Sequence, residues 1–597
     1  MFLATTGLTE FWDTRDELVL LGSWCLRPDR RHVWQGLRYQ ILPNPWDNRT
    51  RFDESFSYLE GCGERLLASL GDYLNAVHQV SMSPRYWRIL IGPWLFHYLH
   101  ILYDRWVHLR QAFERYPGVR TILLDEQSYR VPQDTLEAIT WTHDDRYNLQ
   151  LFTQLLAPMR RGDVSQRCAD DTSQHSAASR GSFGLPGMLR EALNRICLRA
   201  GHIAVCDCYF PRRAQIALAW RRGVRMLSSQ PQAPRSIPEA IMDTRRQEMA
   251  RRPWTDSFEH DAVRCLPYNF PRLFLEGFDQ MRRHAVGCAR RIPPVVVSGN
   301  GWYYNEAFKW VAAEAQERGS RLICVQHGGG YGLNQSLLFE RHERTIGDAF
   351  ISWGWSDPQD RVNPMPSLYL GTFRRLRRRT RARRRLLLVT TEYPRYLYRF
   401  DSAPAGSQWE AYHEAQRRFL GALPERLRAA MVFRPFPIDY GRQIRQQIAR
   451  RFPTIGLDCE RSLRQHLQAA RLVVVDHPGT TMLEVLAADI PLMLFWEPQW
   501  WPMRPQAAGD LELLRQASIL STSPEEAAAK VAAVADDPQT WWHGQAVRAA
   551  REQFARRYAW TQQDWLDGWS GLLVDTLRQY RQRPALSAAG ALEVGSP

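Results

Sequence analysis

Lysine is nearly absent from this chain: only Lys309 and Lys530 accompany its arginines, so the formal net charge of +15 over 597 residues is an arginine charge. Guanidinium groups in excess suit phosphates, anionic glycans or an anionic membrane surface, with a merely solvated basic surface as the plain alternative. No stretch reaches the roughly 20 apolar residues that span a bilayer. The nearest, Trp87 to Leu102, carries Arg88, Pro93 and two histidines. It reads as a pair of aromatic, partly amphipathic helices buried in the N-terminal region, or else as a monotopic membrane contact. The cysteines show no repeated CxxC spacing and no CxxC paired with HxxH, which argues against a metal site or a disulfide framework and for reduced thiols. The opening MFLATTGLTEFWD lacks a basic segment followed by a long apolar one, so no secretory signal is read and a cytoplasmic location is expected. No nucleic-acid-binding module is recognisable, and nucleic acid is not an expected partner.

What is present points to several domains, because the chain is longer than one core can fill. Residues 1–159 read as an α/β segment with aromatic helices, opened by the strand-like ELVLLGSWC and the turn-rich YQILPNPWDNR. Residues 160–185, rich in Ser, Asp and Gly, read as a flexible insert or linker. In 186–373 the runs GHIAVCDCYF, RIPPVVVSGN and RLICV alternate with helical stretches, as a doubly wound parallel sheet requires. The basic run at 374–385 (RRLRRRTRARRR) reads as a linker, either solvated or touching the cytoplasmic face of the inner membrane. The alternation resumes at 386–581 with RLLLV, AAMVFRPFP, RLVVVDHPG and IPLMLFW, and 582–597 is expected to be a disordered tail. The expected fold is therefore α/β, with two Rossmann-like doubly wound domains facing a cleft and a helix-rich N-terminal elaboration.

The most informative segment is RLVVVDHPGTTMLEVLAADIP. A buried strand ends at Asp476, a turn through His477, Pro478 and Gly479 follows, and Thr480 and Thr481 open a helix. The free N–H groups and positive end of such a helix make a phosphate seat, and Glu484 one turn on can accept from sugar hydroxyls. The plain alternative makes Thr480 an N-cap and Glu484 its capping partner or a surface charge. Arg434, ending the strand before Pro435, offers bidentate contacts to a phosphate or an interdomain ion pair. The second segment, Gln326-His327-Gly328-Gly329-Gly330-Tyr331-Gly332, follows the strand RLICV; its glycines let a ligand approach the main chain while His327 projects from the strand end. Downstream, Glu343 and Trp353 supply a carboxylate and a ring, and Asn300 sits in a further glycine turn, GNGWYYNE. Asp144-Asp145 reads as surface charge.

The TTMLE-helix-DIP pattern resembles the nucleotide-binding half of GT-B glycosyltransferases, with Asp489 where glycine is usual. That resemblance implies Glu484 on the nucleotide ribose and Thr480 and Thr481 on the phosphate. The His477-Pro478 pair is similar to the motif by which GT-B sialyltransferases and Kdo transferases contact a CMP-sugar phosphate, and favours a CMP-linked donor over UDP, GDP or dTDP. The blocks FLATTGLTEFWD, NPWDNR, SPRYWRILIGPWLFHYLHILYDR, QHGGGYG, HERTIGDAFISWGW and DHPGTTMLE resemble a bacterial transferase family of O-antigen and other surface-polysaccharide loci.

These readings lead to a glycosyltransferase. It moves a sugar from a nucleotide-sugar donor, bound by Arg434, His477, Gly479, Thr480, Thr481 and Glu484, to a glycan or lipid-linked glycan acceptor. His327, Glu343 and Asp47 are the candidate bases, and Gln326, Gly328, Gly329, Gly330, Asn300 and Trp353 line the substrate cleft. No metal and no cofactor is required, since helix dipoles and basic side chains can hold the phosphates. Two alternatives stand beside it: a teichoic-acid-like polyol-phosphate transferase and a non-enzymatic basic scaffold that binds glycans.

Overall fold

A computed structural model of the chain describes residues 1–159, 165–166, 203–221, 226–228, 237–240, 242–251, 254, 256–289, 294–357, 361–378, 385–458 and 460–582. The insert expected at 160–185 lies outside these residues apart from Ser165–Gln166, as do 379–384 of the basic run and 583–597 of the tail.

Three parallel sheets organise the molecule. The first is small: β1 (Phe2–Ala4), β2 (Leu18–Leu20) and β3 (Tyr39–Ile41) pair in that order. Two long helices, α1 (Arg49–Val77) and α2 (Pro84–Arg115), pack on each other. The Trp87–Leu102 segment is thus part of one continuous helix, not a pair, and is buried almost throughout; an element hydrophobic all round belongs inside. Pro93 removes a backbone donor within α2. Beside it, the buried Lys309 ammonium donates to the Leu90 carbonyl (3.2 Å) and is ion-paired with Glu306 (2.9 Å). No described helix is long and apolar enough to cross a membrane.

The second sheet comprises β4 (Ile203–Cys206), β5 (Met226–Ser228), β6 (Val295–Ser298), β7 (Arg321–Val325), β8 (Ala349–Ser352) and β9 (Val362–Pro364), in the order β5-β4-β6-β7-β8-β9. The third comprises β10 (Arg385–Val389), β11 (Met431–Arg434), β12 (Gly456–Leu457), β13 (Ala470–Val475), β14 (Leu492–Phe495) and β15 (Leu520–Ser521), in the order β12-β11-β10-β13-β14-β15. All pairings are parallel. The central strands are continuous apolar runs because helices cover both faces. In each sheet the winding reverses once, between β4 and β6 and between β10 and β13, which is where α/β sheets open a ligand crevice at their carboxyl ends.

Two assignments change. The last described helix (Trp565–Arg581) packs Trp569, Leu573 and Leu577 in one core with Ile203, Val295 and Ile323, so it lies on the second sheet although 386–581 was expected to belong with the third. Asp145 is not surface charge. It is buried and accepts from Gly7 N (3.1 Å), Arg27 Nη1 (3.0 Å), Arg395 Nη2 (2.6 Å) and the Tyr396 hydroxyl, tying the first sheet to the third. An isolated acidic pair says nothing in sequence about arginines brought to it from 118 and 250 residues away.

Candidate active site between the two large sheets

The loops after β7 and β13 meet. Gly329 N donates to Thr480 Oγ1 at 2.9 Å, and a Cβ added to Gly329 would lie 2.3 Å from the Gly479 carbonyl carbon and 2.4 Å from Thr480 N. Only glycine permits this approach. Gly328 lies beside Thr480, whose Oγ1 is 3.8 Å from an ideal Cβ there, and Gly330 packs under Asn334.

On one side of this contact stands His327. Its Nε2 is 2.9 Å from Glu343 Oε1 and 2.6 Å from Tyr331 Oη, and the Tyr331 hydroxyl donates to Glu343 Oε2 at 3.1 Å. Glu343 comes from α3 (Leu338–Ile346), whose buried face packs back onto the sheet. Burial pushes the Glu343 carboxyl up, while His327 and Tyr331 pull it back. With Nε2–H directed at Glu343, the proton-accepting lone pair is on Nδ1, which has no hydrogen-bond partner among the described residues.

On the other side stands His477. Its Nδ1 is 2.9 Å from Asp476 Oδ1, and buried Asp476 also accepts from Tyr412 Oη (2.8 Å) and Gln416 Nε2 (2.9 Å) of α4 (Gln408–Ala422). Nε2 is turned toward Gly479, an ideal Cβ of which would lie 3.6 Å from it. Each large sheet therefore supplies one histidine with a carboxylate behind it.

Helix α5 (Thr480–Ala488) begins here. Its N-cap is Gly479 with no side-chain cap, so neither Thr480 nor Glu484 acts as a cap and the first-turn N–H groups face the cleft region without a capping side chain. Thr481 is half-buried on the same turn. Glu484 is 5% exposed and accepts from the Tyr369 hydroxyl. Burial pushes its carboxyl up to about 7, against the pull of Tyr369 and of Arg434 at the end of β11. Tyr369 stacks on Trp353 (centroids 5.9 Å apart) and lies 5.8 Å from Tyr209, whose hydroxyl accepts from Asn300 Nδ2 at 3.1 Å.

Two expectations are corrected, and the departure at Asp489 is explained. Asp47 does not join His327: its Oδ1 accepts from Ser407 N (2.8 Å) and Ser407 Oγ (2.9 Å), a tie between the first and third sheets. Gln326 is buried and braces the glycine loop instead of facing ligand. Its Nε2 donates to Gly328 O (2.8 Å), and its Oε1 accepts from Trp353 N (2.8 Å) and Trp355 Nε1 (2.9 Å). Asp489 supplies the left-handed backbone (φ 52°) that glycine usually gives after such a helix, and its carboxylate accepts from Trp542 Nε1 (3.0 Å) and Arg551 Nη1 (2.6 Å). The departure from glycine is thus offset by an anchor to the C-terminal helices. Tyr331, Tyr369, Tyr209 and Asp476 were not singled out from sequence. Tyr331 and Asp476 carried the signal of standing four residues and one residue from a candidate histidine; Tyr369 and Tyr209 carried none. Among the described residues no group of three or more His, Cys, Asp or Glu side chains is placed to hold a metal ion.

Two doubly wound parallel sheets, facing each other across a cleft at their carboxyl ends with a helix start in it, define the GT-B architecture. Residues 1–573 match the LIC12162 family of transferases, and the chain belongs to that family. Membership in a transferase family sets the non-enzymatic scaffold aside. No curated protein matches the sequence. Solved structures resemble it remotely. The UDP-GlcNAc 2-epimerase from Neisseria meningitidis bound to UDP-GlcNAc is 10% identical, covers 63% of this chain and 99% of its own, and superposes with a TM-score of 0.36. The wall teichoic acid polymerase TagF is 10% identical over 66% of this chain and 92% of its own, with a TM-score of 0.27. WaaG, a glycosyltransferase involved in lipopolysaccharide biosynthesis, is 14% identical over 63% and 99%, with a TM-score of 0.25. At that distance the strand orders, not these likenesses, carry the description of the fold.

Proposed function

We propose that this transferase moves a sugar from a nucleotide-activated donor, a CMP-sugar by preference, to a glycan or lipid-linked glycan of a bacterial surface polysaccharide, working at the cytoplasmic face of the inner membrane. The observation that carries the reading is the meeting of two carboxylate-backed histidines, one from each large sheet, at the uncapped start of α5. In this reading the first-turn N–H groups, the Thr480 and Thr481 hydroxyls and Arg434 hold the phosphate, and Glu484 accepts from the ribose hydroxyls. His327 Nδ1 takes the proton of the acceptor hydroxyl as its oxygen bonds to the anomeric carbon, and Glu343 steadies the imidazolium. The bond from the anomeric carbon to the phosphate oxygen breaks, and His477, as an imidazolium whose Nδ1–H is held by Asp476, donates its Nε2–H to the departing phosphate.

The same pair of histidines would serve a polyol-phosphate transfer, in which the acceptor oxygen bonds to phosphorus; a phosphodiester in the product, in place of a glycosidic bond, would decide for it. The test begins with a thermal-shift screen of CMP, UDP, GDP, dTDP, CDP and ADP. A nucleotide at about 100 times its dissociation constant adds roughly 2.7 kcal/mol. One nucleotide should stabilise the wild type, with His477→Ala and Glu484→Ala losing the shift. His327→Asn should keep the shift and lose roughly 10²- to 10⁴-fold in turnover. Stabilisation of all variants alike by any polyanion, with no nucleotide preference, would sink the proposal.

A further inference from the structure

Carboxyl ends of parallel strands face each other a second time in this molecule. The loops after β2 and β3 oppose the loops after β10 and β11 and the first turns of α4, enclosing a cavity of about 350 Å³. That volume suits a small-molecule site, and a crevice at strand carboxyl ends is where such sheets hold ligands. The cavity is lined by none of His327, Arg434, His477, Thr480 and Glu484.

The lining is specific in its chemistry. Trp409 lies beside Tyr393 (5.6 Å between centroids) with the Arg442 guanidinium 4.9 Å over its ring. The indole N–H of Trp24 is engaged by Thr5 O (2.9 Å) and that of Trp46 by Asp104, whereas that of Trp409 has no partner among the described residues. Arg395 and Arg442 hold the 393–396 loop, donating to Trp24 O and to Pro394 O (3.2 Å) respectively. Arg417 reaches the cavity from α4, bonded to Glu414 (2.7 Å) and Gln447 (3.3 Å). The negative charge nearby is largely muted. Asp104 is locked to Arg105 (2.7 Å), and burial pushes the Glu392 carboxyl behind Arg442 up to about 7. Glu410 is the exposed carboxylate of the lining. The rim is firm: Gly406 (φ 62°) stands against Asp47, whose Oδ1 an added Cβ would meet at 2.5 Å, and Gly441 (φ 89°) against Arg395. Arg395 is paired with Asp145 (2.6 Å) and Arg442 with Glu392 (3.5 Å), whereas Arg417, the most exposed of the three, has the half-exposed Glu414 as its partner. With an aromatic floor and an available donor beside it, Arg417 matches a sugar ring that carries an anion.

We propose that this cavity is a saccharide site, separate from the nucleotide seat, for a carboxylated or phosphorylated sugar unit stacked on Trp409 and paired with Arg417. Tyr398 lines the cavity, Arg399 lies 4.7 Å over Tyr398 and 4.8 Å over Phe339, and Phe339 is 5.9 Å from His327. Three side chains therefore separate the cavity from the candidate base. The assignment of its occupant as an anionic unit of the acceptor rests on the glycosyl-transfer reading above.

The experiment is saturation-transfer NMR on the full chain with N-acetylneuraminate, glucuronate and glucose 6-phosphate, and maltose as the neutral control. At about 10 mM each, sites with dissociation constants near 1 mM are well filled. At least one anionic sugar should show transfer in the wild type and in Glu484→Ala. That signal should fall about tenfold in Trp409→Ala and in Arg417→Ala, with urea unfolding midpoints showing that both variants stay folded. No transfer to any anionic sugar, equal transfer to maltose, or a signal lost in Glu484→Ala and kept in Trp409→Ala would each overturn the inference. A nucleotide shift without sugar transfer overturns the cavity alone, whereas Trp409-dependent transfer without any nucleotide shift supports the cavity and overturns the glycosyl-transfer reading.

Discussion

Replacing Gly329 by alanine probes the contact between the two large sheets without removing any charge. The new Cβ would sit 2.3 Å from the Gly479 carbonyl carbon, 2.4 Å from Thr480 N and 2.6 Å from the Gly479 oxygen. All three are backbone atoms at the start of α5, so no side-chain rotation relieves the overlap. Restoring an ordinary carbon contact of about 3.5 Å requires the loops to part by about 1 Å. That movement breaks the Gly329 N to Thr480 Oγ1 bond, which contributes about 1 kcal/mol. Overpacking in a close contact adds about 1–3 kcal/mol. The expected loss is therefore about 2–4 kcal/mol in urea unfolding followed by tryptophan fluorescence. Because a misplacement of about 1 Å can cost about 100-fold in rate, release of nucleotide from the donor should fall by that order. Gly421→Ala is the control: it lies on α4, nothing stands within 4 Å of its added Cβ, and it should be neutral or stabilising by up to about 1 kcal/mol. If Gly329→Ala unfolds at the wild-type midpoint and releases nucleotide at the wild-type rate, the sheet-to-sheet contact is not part of the working arrangement.

Other consequences can be checked with the same unfolding assay. Burial raises the Glu484 carboxyl from 4.5 to about 7 in the folded state, so its stabilising contribution is complete below about pH 4.5 and is lost as the pH rises through about 7. Glu484→Gln lacks that loss. It should match the wild type near pH 4.5 and exceed it by about 3 kcal/mol at pH 8, and a difference that does not vary with pH would refute the burial argument. Asp145→Asn leaves the buried Arg395 without its carboxylate and should cost about 3–5 kcal/mol; a loss below about 1 kcal/mol would mean that the tie between the first and third sheets is solvent-relaxed. Gln326→Leu strips the acceptor from Trp353 N and Trp355 Nε1 and should cost about 2–4 kcal/mol, with nucleotide release falling in parallel because the glycine loop loses its brace.

The strands legible in the sequence were those buried on both faces, where continuous apolar runs such as LVVV of β13 leave no ambiguity. Those that escaped were short. Phe2–Ala4, Tyr39–Ile41, Gly456–Leu457 and Leu520–Ser521 are two or three residues long, and their pairing is imposed by neighbouring strands and not by any pattern of their own. In the site, the glycines and histidines stood out because glycine is costly where nothing approaches the backbone. Their partners did not, since these arrive through the fold. Tyr369 reaches Glu484 across 115 residues, and Ser407 takes Asp47 across 360. A carboxylate beside aromatic residues looks alike in sequence whether it ends against a substrate or against a loop N–H.

The path of the chain joins the two large sheets at one edge of the cleft. Because the last helix packs on the second sheet, the chain crosses between the large sheets twice. The crossings lie side by side: Ser367 N donates to Trp560 O (2.8 Å), and Trp560 N donates to Trp353 O (2.9 Å). Tyr369 belongs to the first crossing, stacks on Trp353 and donates to Glu484. Glu484 is thus buried against the segment that joins the two sheets, and burial is what raises its pKa. Elsewhere the sheets are joined by Gly329 N to Thr480 Oγ1, Leu338 N to Asp401 Oδ2 (2.8 Å), Arg504 Nε to Asn334 O (2.9 Å) and the ion pair of Arg504 with the buried Glu340 (2.9 Å). A phosphate at the start of α5 would accept a hydrogen bond from the Thr480 hydroxyl while Thr480 Oγ1 goes on accepting from Gly329 N, so donor binding at this seat is compatible with the tie between the sheets.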